Sequence, residues 1–528
     1  MSKVLDAIAS HAKQTPDIIA LEGDKVSLSY KALQDTIDDL SRQFKDHHYQ
    51  CLGLMMDNSP AWAVIDLAAI AADVTLIPIP SFFTSQQAHH ALTDAGVQDV
   101  ITDQCARAIE PFPNAKLRPQ ARIAGKSTWM LSLSGDTSKS APKNTHKNNT
   151  KQNASNISKI TYTSGTTGTP KGVCLNQAAM DSVASSLGST IHVTEDDRHL
   201  SLLPLAVLLE NIGGIYTPLL NSACCVIPSL NNVGMQGAAK LDPQQMYQAI
   251  VANRATSIIL LPQMLQALIA VINAGYPVPD SLRFIAVGGA PVSVRLLEQA
   301  QEFGLPVYEG YGLSECASVV AVNTLQEHRK GSVGKPLPHV QIRFTAEGEI
   351  LLRGNLFNGY LNHPANQHEW YASGDLGYLD DDGYLYLTGR KKNCFITSFG
   401  RNVAPEWVER ELTLSPAIAQ AVVYGEARPF NTAIITVNNP ACDAPEEIAL
   451  EALIEKAIAE ANKHLPDYAQ VSAWIKTEQP FSIENNQYTA TGRPRRQAIM
   501  DRYGERLNAL YDTNGLTSPE RRQHALLQ

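Results

Sequence analysis

The sequence predicts an α/β protein built from more than one domain. Its 528 residues are several times the usual size of a single domain. Between Ile18 and Pro80, strand-like apolar runs alternate with helical ones, and a helix predicted over 62–72 precedes a strand predicted over 74–79. This alternation is typical of βαβ units, so we expect parallel-rich sheets with flanking helices.

The same alternation resumes in the middle of the chain. It predicts strands over 256–261, 282–287 and 306–308, and helices over 263–272 and 294–303. Beyond about residue 340 the strands become shorter and are separated by Gly and Asp turns. One of these, Asp380-Asp381-Asp382-Gly383, has the carboxylates of a metal site, but a turn between strands explains it better.

Changes of composition mark the expected domain boundaries. The segment 134–158 is polar and too poor in apolar groups to fold alone, so we expect a flexible surface connection there. A charged run from Gly389 to Asn393 is the strongest boundary candidate. We therefore predict a large domain over 1–390, a small α+β domain over 391–500 and a polar tail over 501–528.

Charge and cysteine usage exclude several classes of protein. The net charge of −9 and the pI near 5.9 argue against a nucleic-acid binder that works through a basic surface. The eight cysteines form no C-x-x-C pair and have no nearby His at zinc spacing, so buried thiols explain them best. A reducing, cytoplasmic compartment is the natural expectation.

The sequence predicts no integral membrane segment. Residues 1–17 lack the long apolar centre of a signal peptide. The most apolar stretch, 200–220, is interrupted by Pro204, Glu210, Asn211 and Pro218, and a buried strand and helix explain it better than a spanning helix does. A peripheral membrane contact stays open, as does the oligomeric state, a homodimer included.

The segment 162–172 is the most informative in the chain. It reads Tyr-Thr-Ser-Gly-Thr-Thr-Gly-Thr-Pro-Lys-Gly. Its glycines let the backbone turn tightly and present N–H groups to an anion, while its hydroxyls and Lys171 add donors and a positive charge. It is not a Walker A loop, because Pro170 precedes the lysine and Gly172 follows it. A phosphate-binding loop explains this string better than a hydroxyl-rich surface turn.

Four further motifs follow in order along the chain. They read Gly288-Gly289-Ala290-Pro291, Glu309-Gly310-Tyr311-Gly312-Leu313-Ser314-Glu315, Tyr371-Ala372-Ser373-Gly374-Asp375-Leu376-Gly377 and Gly389-Arg390-Lys391-Lys392. The first ends a predicted strand, where glycines suit the close approach of a flat ring, although alone it is as easily a plain turn. Together with the loop, these motifs resemble those of the adenylate-forming superfamily from about residue 15 to residue 500.

The resemblance implies ATP, Mg²⁺ and coenzyme A as ligands. It implies a large N-terminal domain with a distorted barrel subdomain and a small mobile C-terminal lid. The residues that it assigns to the nucleotide are Thr163, Ser164, Gly165, Thr166, Thr167, Gly168, Gly288, Gly289, Ala290, Glu309, Gly310, Tyr311, Gly312 and Ser314.

Particular roles follow from the same resemblance. Tyr311 is expected against adenine, and Asp375 on the ribose hydroxyls, where one carboxylate accepts two hydrogen bonds. Arg390 is expected on ribose or phosphate, and Lys392 at the hinge. Glu315 is expected to hold Mg²⁺, with Thr166 as a second metal candidate; one or two such ligands suffice beside a triphosphate.

Family members carry out two half-reactions, an adenylation and then a transfer to a thiol such as that of coenzyme A. The segment 397–403 resembles the loop that moves in for the second step, and Gly400 would let the pantetheine pass close to the backbone. Lys171, Glu315 and Arg493 are the candidate catalytic residues.

Arg493 is the clearest departure from the superfamily. Members carry Gly-Lys where this chain has Gly492-Arg493, and that lysine reaches the acyl carboxylate and the α-phosphate. Arginine keeps the charge but is bulkier and offers a planar fork. Loss of a positioned donor typically costs about 10²–10³ in rate, and a displaced cation costs less. Alternatively, Arg495 or Arg496 supplies the contact.

The segment 203–210 resembles the acyl-pocket segment of fatty acyl-CoA synthetases. Those enzymes often have a histidine at the Val207 position, and an apolar side chain there suits an aliphatic tail. The run 316–321 is small and apolar, with no Asp placed to hold an amino group. We therefore expect a medium- or long-chain fatty acid as the carboxylic acid substrate.

Three hypotheses about function remain. The first is an acyl-CoA synthetase, and the second is an acyl-AMP ligase that loads a carrier-protein thiol. The third, motivated by Arg493 and Val207, is a non-catalytic nucleotide- or acyl-binding protein. Thiol dependence of AMP release separates the first two. The third predicts ATP binding without acid-dependent ATP–pyrophosphate exchange.

Overall fold

The computed structural model describes residues 2–133, 157–163, 170–236, 240–364, 369–438, 447–489 and 493–513. The α-helices in these ranges are α1 Lys3–Gln14, α2 Tyr30–Asp46, α3 Pro60–Ala72, α4 Ser85–Asp94, α5 Cys105–Ile109, α6 Gln177–Thr190, α7 Leu208–Asn211, α8 Thr217–Leu220, α9 Pro243–Ala252, α10 Pro262–Asn273, α11 Val294–Glu302, α12 Pro405–Leu412, α13 Glu447–Asn462 and α14 Arg496–Thr513.

The strands in the same ranges are β1 Ile19–Glu22, β2 Ser27–Ser29, β3 Cys51–Met55, β4 Thr75–Pro78, β5 Asp99–Thr102, β6 Lys116–Pro119, β7 Trp129–Ser132, β8 Lys159–Thr163, β9 Lys171–Leu175, β10 Arg198–Leu200, β11 Cys224–Val226, β12 Met235–Gln236, β13 Lys240–Leu241, β14 Ser257–Leu260, β15 Phe284–Val287, β16 Val307–Leu313, β17 Ser318–Val322, β18 Lys335–Pro336, β19 Val340–Phe344, β20 Glu349–Gly354, β21 Gly359–Tyr360, β22 Tyr371–Leu379, β23 Leu385–Arg390, β24 Phe395–Ile396, β25 Asn402–Val403, β26 Ile418–Tyr424, β27 Asn431–Val437 and β28 Val471–Lys476.

Two large sheets form the N-terminal lobe. In the described residues one has the strand order β18-β17-β16-β15-β14-β10-β11-β1-β2, and its centre, from β16 to β1, is parallel. The other has the order β21-β9-β8-β4-β3-β5-β7-β6, with parallel pairing among β8, β4, β3 and β5. The prediction of an α/β protein with parallel-rich sheets is confirmed.

Helix α3 lies in the main core of this lobe. It begins with Pro60 at its first position, where a missing N–H costs nothing, and ends at Asp73 in the left-handed conformation. Nearly all its residues are buried, including Trp62. A helix that is apolar on nearly every side belongs in a core, which is why the predicted helix over 62–72, with Asp66 as its polar residue, lies there.

The other predicted elements are also confirmed, with shifted ends. Strand β16 runs to Leu313, well beyond the strand predicted over 306–308. The apolar stretch 200–220 begins at the end of β10 and continues through α7, a π-helix at Ile212–Tyr216 and α8. It does not form one continuous α-helix. Among the described helices, none has the length and apolar character that a bilayer crossing requires.

A four-stranded antiparallel sheet, β19-β20-β22-β23, follows the two large sheets and corresponds to the expected barrel subdomain as a half-barrel. The Asp380–Gly383 turn joins β22 to β23. Gly383 has φ +81°, and its N–H donates to the carbonyl of Asp380. Asp380 and Asp382 both pair with Arg329, so these carboxylates serve a turn, as expected.

The C-terminal lobe is a small α+β unit. Its sheet has the order β26-β27-β28, with α12 and α13 packed on one cluster and α14 on another. Helix α14 extends to Thr513, and its Tyr503 and Leu507 are buried. The predicted polar tail over 501–528 is therefore wrong up to residue 513, because apolar side chains spaced four apart put this stretch into the core.

The polar segment 134–158 lies outside the described residues except for its last two positions. Ile157 and Ser158 are held by the second sheet, since Thr75 Oγ1 donates to the carbonyl of Ile157 and Ser158 N donates to that of Leu175. Each described cysteine carries a free thiol; Cys442 is outside the described residues.

Candidate active site

Strands β8 and β9 form the hairpin that carries the predicted phosphate loop. They pair antiparallel, with Thr163 opposite Lys171. The loop between them, with Ser164, Gly165, Thr166, Thr167 and Gly168, lies outside the described residues. Lys171 is exposed at the start of β9. The hairpin thus fixes both ends of the loop on a sheet, as a rigid support for an anion site requires.

The Gly288 motif ends strand β15, as predicted. A Cβ on Gly288 would lie 2.9 Å from the carbonyl oxygen of Gly310 on β16, and Gly289 has φ +78°. Gly288 is buried, while Gly289 and Ala290 are exposed. Glycine is therefore required where the two strands approach each other, and the exposed turn is left facing outward.

The second motif lies on β16, which pairs with β17 through a shift of register between Tyr311 and Gly312. A Cβ on Gly312 would lie 1.8 Å from the carbonyl oxygen of Ser318, so only glycine fits at this irregularity. The shift turns the Tyr311 side chain inward, where it is buried.

Tyr311 and Arg390 both bind the carboxylate of Asp375. The Tyr311 hydroxyl donates to Oδ2 at 2.7 Å, and Arg390 Nε lies 2.8 Å from Oδ1. Asp375 is 5% exposed and lies opposite Arg390 across β22 and β23. Burial, and next the charge of Asp375, raise the pKa of Tyr311 far above its usual value, so its hydroxyl stays a donor.

These two contacts fix the Asp375 carboxylate and leave some of its hydrogen-bond acceptor sites free. An ionised carboxylate has about four acceptor sites, and two are used here. The structure thus brings together Tyr311, Asp375 and Arg390, three residues that the sequence places in three separate motifs.

Glu315 lies beside a cluster of aromatic rings. It sits on the 3₁₀ turn Ser314–Cys316, and the hydroxyl of Tyr360 donates to its Oε1 at 2.7 Å. Tyr360 OH is also 3.3 Å from Tyr371 OH. The carboxylate is half-buried and oriented.

Mg²⁺ fits this site only together with phosphate. The described residues contain no group of three or more His, Cys, Asp or Glu side chains that could hold a metal alone. Mg²⁺ on a triphosphate needs one or two carboxylates, since phosphates and waters supply its other oxygens. Glu315 offers the single hard oxygen ligand that such a site needs; Thr166, the other metal candidate, is outside the described residues.

Arg493 reaches this group from the C-terminal lobe. Its backbone bonds to Thr489. The residue keeps solvent-accessible area, yet desolvation, and next the charge of Arg390, lower the pKa of its guanidinium. Asp375, Glu315 and Glu406 act on it in the opposite direction. Arg493 thus lies within electrostatic range of Glu315, Asp375 and Arg390 of the large lobe.

The neighbouring arginines do not point to this group. Arg495 Nη1 bonds to Asn486, and Arg496 forms a two-pronged pair with Glu409 at 2.7 and 2.8 Å. Both contacts lie within the C-terminal lobe. Of the three arginines, Arg493 is the one whose surroundings include Glu315 and Asp375.

Lys392 and Gly400 lie apart from these contacts. Lys392 lines a cavity of about 260 Å³ in the C-terminal lobe, with Tyr424, Arg428 and Tyr511. Gly400 has φ +72° in an exposed turn, where its N–H donates to the carbonyl of Thr397. No contact among the described residues joins either of them to Asp375.

Glu309 faces the boundary between the lobes. It is 8% exposed, and burial raises the pKa of its carboxyl to about 8, although Arg410 and the N–H of Val292 act against this shift. Arg410 belongs to α12 of the C-terminal lobe. Glu309 therefore lies within electrostatic range of Arg410 of the C-terminal lobe, and its role at the nucleotide stays a prediction.

Sequence reasoning missed Tyr360 and Arg410. Tyr360 lies in Asn358-Gly359-Tyr360, and the signal was a Gly-aromatic pair between two assigned motifs. Arg410 had no signal of its own, because an Arg on an amphipathic helix is ordinarily a solvated residue.

Comparison with known proteins matches this architecture. The family model of the AMP-binding enzyme covers residues 8–361, and that of the AMP-binding enzyme C-terminal domain covers residues 392–515. The long-chain-fatty-acid–CoA ligase FadD15 of Mycobacterium bovis is 28% identical over 525 residues, covering 85% of this chain and 86% of that protein. The 2-succinylbenzoate–CoA ligase of Bacillus mycoides is 34% identical over 287 residues, covering 51% and 56%.

Two solved structures show the same fold. The anthranilate CoA ligase AuaEII in complex with anthranoyl-AMP has a TM-score of 0.74 at 18% identity, covering 95% of this chain and 97% of that one. The O-succinylbenzoate coenzyme A synthetase of Bacillus subtilis in complex with AMP has a TM-score of 0.72 at 22% identity, covering 94% and 98%.

The protein thus belongs to the class of AMP-forming acid–thiol ligases. The chain belongs to the AMP-binding enzyme family, and the resemblance to adenylate-forming enzymes is confirmed.

Proposed function

We propose that the protein uses ATP to activate a medium- or long-chain fatty acid and transfers the acyl group to coenzyme A. The observation that carries this proposal is the placement of Arg493 within electrostatic range of Glu315, Asp375 and Arg390. It supports a lid that supplies one cation to a nucleotide site built by the large lobe. Because two lobes contribute, the site is complete only when they are docked.

The first half-reaction is the attack of a substrate carboxylate oxygen on the α-phosphorus of ATP. A new P–O bond forms, the bond to the β-phosphate oxygen breaks, and pyrophosphate leaves with the electron pair. Lys171 and Arg493 would lower the cost of bringing anions together, and this electrostatic term is usually the largest in such sites. Mg²⁺, held by Glu315 and the phosphates, would supply further charge neutralisation.

The nucleoside would be held by residues that already hold each other. Asp375 has acceptor sites left for the ribose hydroxyls, and Tyr311 is locked by its bond to Asp375. The turn after β15 is exposed at Gly289 and Ala290, so a flat ring would lie against this turn. Such preorganisation is worth several orders of magnitude in effective concentration.

In the second half-reaction the thiol attacks the acyl carbonyl carbon. A C–S bond forms, the C–O bond to AMP breaks, AMP leaves with the electron pair, and the thiol proton passes to solvent. We assign Lys392 to the hinge and Gly400 to the loop that admits pantetheine. The positive φ of Gly400 and its exposed turn support a position where the backbone borders a channel.

The proposal of a fatty acid as the substrate is based on residues 203–210. Leu203, Leu205, Ala206 and Leu208 are buried, and Val207 and Leu209 are half-buried. The half-buried pair presents apolar surface, which favours an aliphatic tail. The run 316–321 adds buried, small side chains.

Acid-dependent ATP–pyrophosphate exchange with a panel of acids tests this proposal. We expect exchange with aliphatic acids; exchange with aryl or amino acids alone would overturn the fatty acid assignment. Val207→Asn should lower kcat/KM for the preferred fatty acid several-fold, because it places an amide against the tail. Val251→Asn, on the exposed side of α9, is the matched control.

The acceptor is tested separately. AMP release should depend on coenzyme A, and dependence on a phosphopantetheinylated carrier protein instead would indicate an acyl-AMP ligase. ATP binding without any exchange would identify a non-catalytic homologue.

A further inference from the structure

Tyr360 connects two residues of the candidate site that have opposite charge. It lies on β21, which pairs antiparallel with β9, so that Gly359 is opposite Cys174 and Tyr360 is opposite Val173. Strand β9 begins at Lys171, two residues from Val173. The pairing therefore places the Tyr360 side chain next to the end of the phosphate-loop hairpin.

The hydroxyl of Tyr360 holds the carboxylate of Glu315. It donates to Oε1 at 2.7 Å, and the backbone N–H of Phe357 donates to the Glu315 carbonyl at 2.8 Å. A short stretch of chain thus fixes Glu315 by both its side chain and its backbone. Hydrogen bonds to an ionised group are stronger than neutral ones, so this contact can set the carboxylate orientation.

The ring of Tyr360 holds the ammonium of Lys171. Lys171 Nζ lies 5.4 Å from the ring centroid, within the range of a cation–π contact. The ring is itself fixed by Phe357, whose centroid is 5.0 Å away in an edge arrangement. One side chain therefore contacts the acidic residue with its hydroxyl and the basic residue with the face of its ring.

We propose that Tyr360 is a positioning residue that sets Glu315 and Lys171 for the magnesium–triphosphate end of ATP. This inference rests on the proposed function. It assigns to Tyr360 no contact with substrate; Tyr360 acts through the two residues that it orients.

Two variants separate the hydroxyl from the ring. Tyr360→Phe removes the bond to Glu315 and keeps the surface against Lys171, whereas Tyr360→Leu removes both. Tyr378→Phe is the matched control, because Tyr378 is half-exposed on β22 and stacks on Tyr386. Calorimetric titration with ATP, in the presence of Mg²⁺ and in the presence of EDTA, measures binding apart from turnover.

We expect Tyr360→Phe to weaken MgATP binding by about 10-fold and to raise the Mg²⁺ concentration for half-maximal exchange, while ATP binding in EDTA is unchanged. Tyr360→Leu should weaken binding under both conditions, since Lys171 also loses its support. Equal thermal stability of the Phe variant and the wild type excludes a folding defect.

Two outcomes separate this inference from the proposed function. A wild type that binds MgATP, with a Phe variant that matches it in both titrations, would overturn the role of Tyr360 and leave the proposed function standing. A wild type that binds no MgATP would overturn both.

Discussion

Ser293 of the large lobe and Glu411 of the small lobe are joined by a buried hydrogen bond, in which Ser293 Oγ donates to Glu411 Oε1 at 3.1 Å. Ser293 also caps α11, since its hydroxyl accepts from the N–H of Arg295. Leu414, shortly after α12, packs on the core of the large lobe. The lobe that carries Arg493 is thus docked through α12 and the residues that follow it.

Glu411→Ala should slow adenylation more than thioester formation. The substitution removes the interlobe bond seen in this docked arrangement. A bond to a charged group is worth about 1.5–3 kcal/mol, so a loss of roughly 10- to 100-fold in ATP–pyrophosphate exchange is expected. The comparison uses transfer from preformed acyl-adenylate to coenzyme A. Glu478→Ala, at an exposed ion pair with Arg502 in the same lobe, is the control and should affect neither step. Equal losses in both steps would contradict this use of the contact.

Glu309 should make the stability of the protein depend on pH. Its folded-state pKa of about 8 lies above its ordinary value of 4.5, so the folded protein keeps a proton that the unfolded chain releases. The stabilisation is complete below about pH 4.5 and is lost as the pH rises through 8. Glu309→Gln has no titratable group at this position. The Tm of this variant should therefore rise relative to that of the wild type as the pH increases from 5 to 8.5.

Differential scanning calorimetry across this pH range measures that difference. Glu302→Gln, on an exposed residue at the end of α11, is the control and should follow the wild type. A constant difference in Tm between Glu309→Gln and the wild type would show that Glu309 titrates normally in the folded protein.

Lys159 and Asp66 form a fully buried ion pair in the large lobe, and removing one partner should be strongly destabilising. Nζ lies 2.8 Å from Oδ1, and the hydroxyl of Tyr216 is 3.0 Å from Nζ. Lys159→Met leaves an unpaired buried carboxylate and should cost about 3–5 kcal/mol in urea unfolding. Adding Asp66→Asn should recover part of that loss. Lys335→Met, at a partly exposed pair with Glu327, should cost less than about 1 kcal/mol.

The sequence predicted the elements around the site because their patterns are local. Residues 62–72 are apolar except for Asp66, and residues 282–287 precede a Gly-rich turn, so both elements can be predicted without knowledge of the rest of the chain. The motifs around Tyr311 and Asp375 were also found, since their spacing and order are specific. That the two side chains bond to each other required the fold, because 64 positions separate them.

The contacts between the two lobes could not be predicted, because no local sequence pattern marks them. The resemblance assigns Glu309 to the nucleotide, which stays a prediction, and the proximity of Arg410 on α12 became visible only in the fold. The end of α14 was misjudged for a different reason: its many charged residues obscured Tyr503 and Leu507, which are buried. Composition alone does not reveal a helix whose buried stripe is narrow.

Arg493 gives the most informative prediction, because it occupies the position where the resemblance to adenylate-forming enzymes predicts a lysine. Arg493→Ala should lower ATP–pyrophosphate exchange by about 10²–10³, the usual cost of losing a donor that stabilises developing charge. Arg495→Ala is the matched control: Arg495 bonds to Asn486 inside the small lobe, and its loss should change exchange by no more than about 3-fold. A large loss for Arg495 and a small loss for Arg493 would reverse the assignment.

Arg493→Lys decides whether arginine is adapted to this site or impairs it. The planar guanidinium can bridge two oxygen atoms, whereas the lysine ammonium is a compact point charge on a side chain of different length. Since Arg493 lies within range of Glu315, Asp375 and Arg390, we expect its geometry to be matched to this surrounding charge. Exchange by the lysine variant should then be equal to or slower than that of the wild type, measured alongside the thioester half-reaction. Faster exchange by the lysine variant would show that arginine slows the adenylation step in the natural protein.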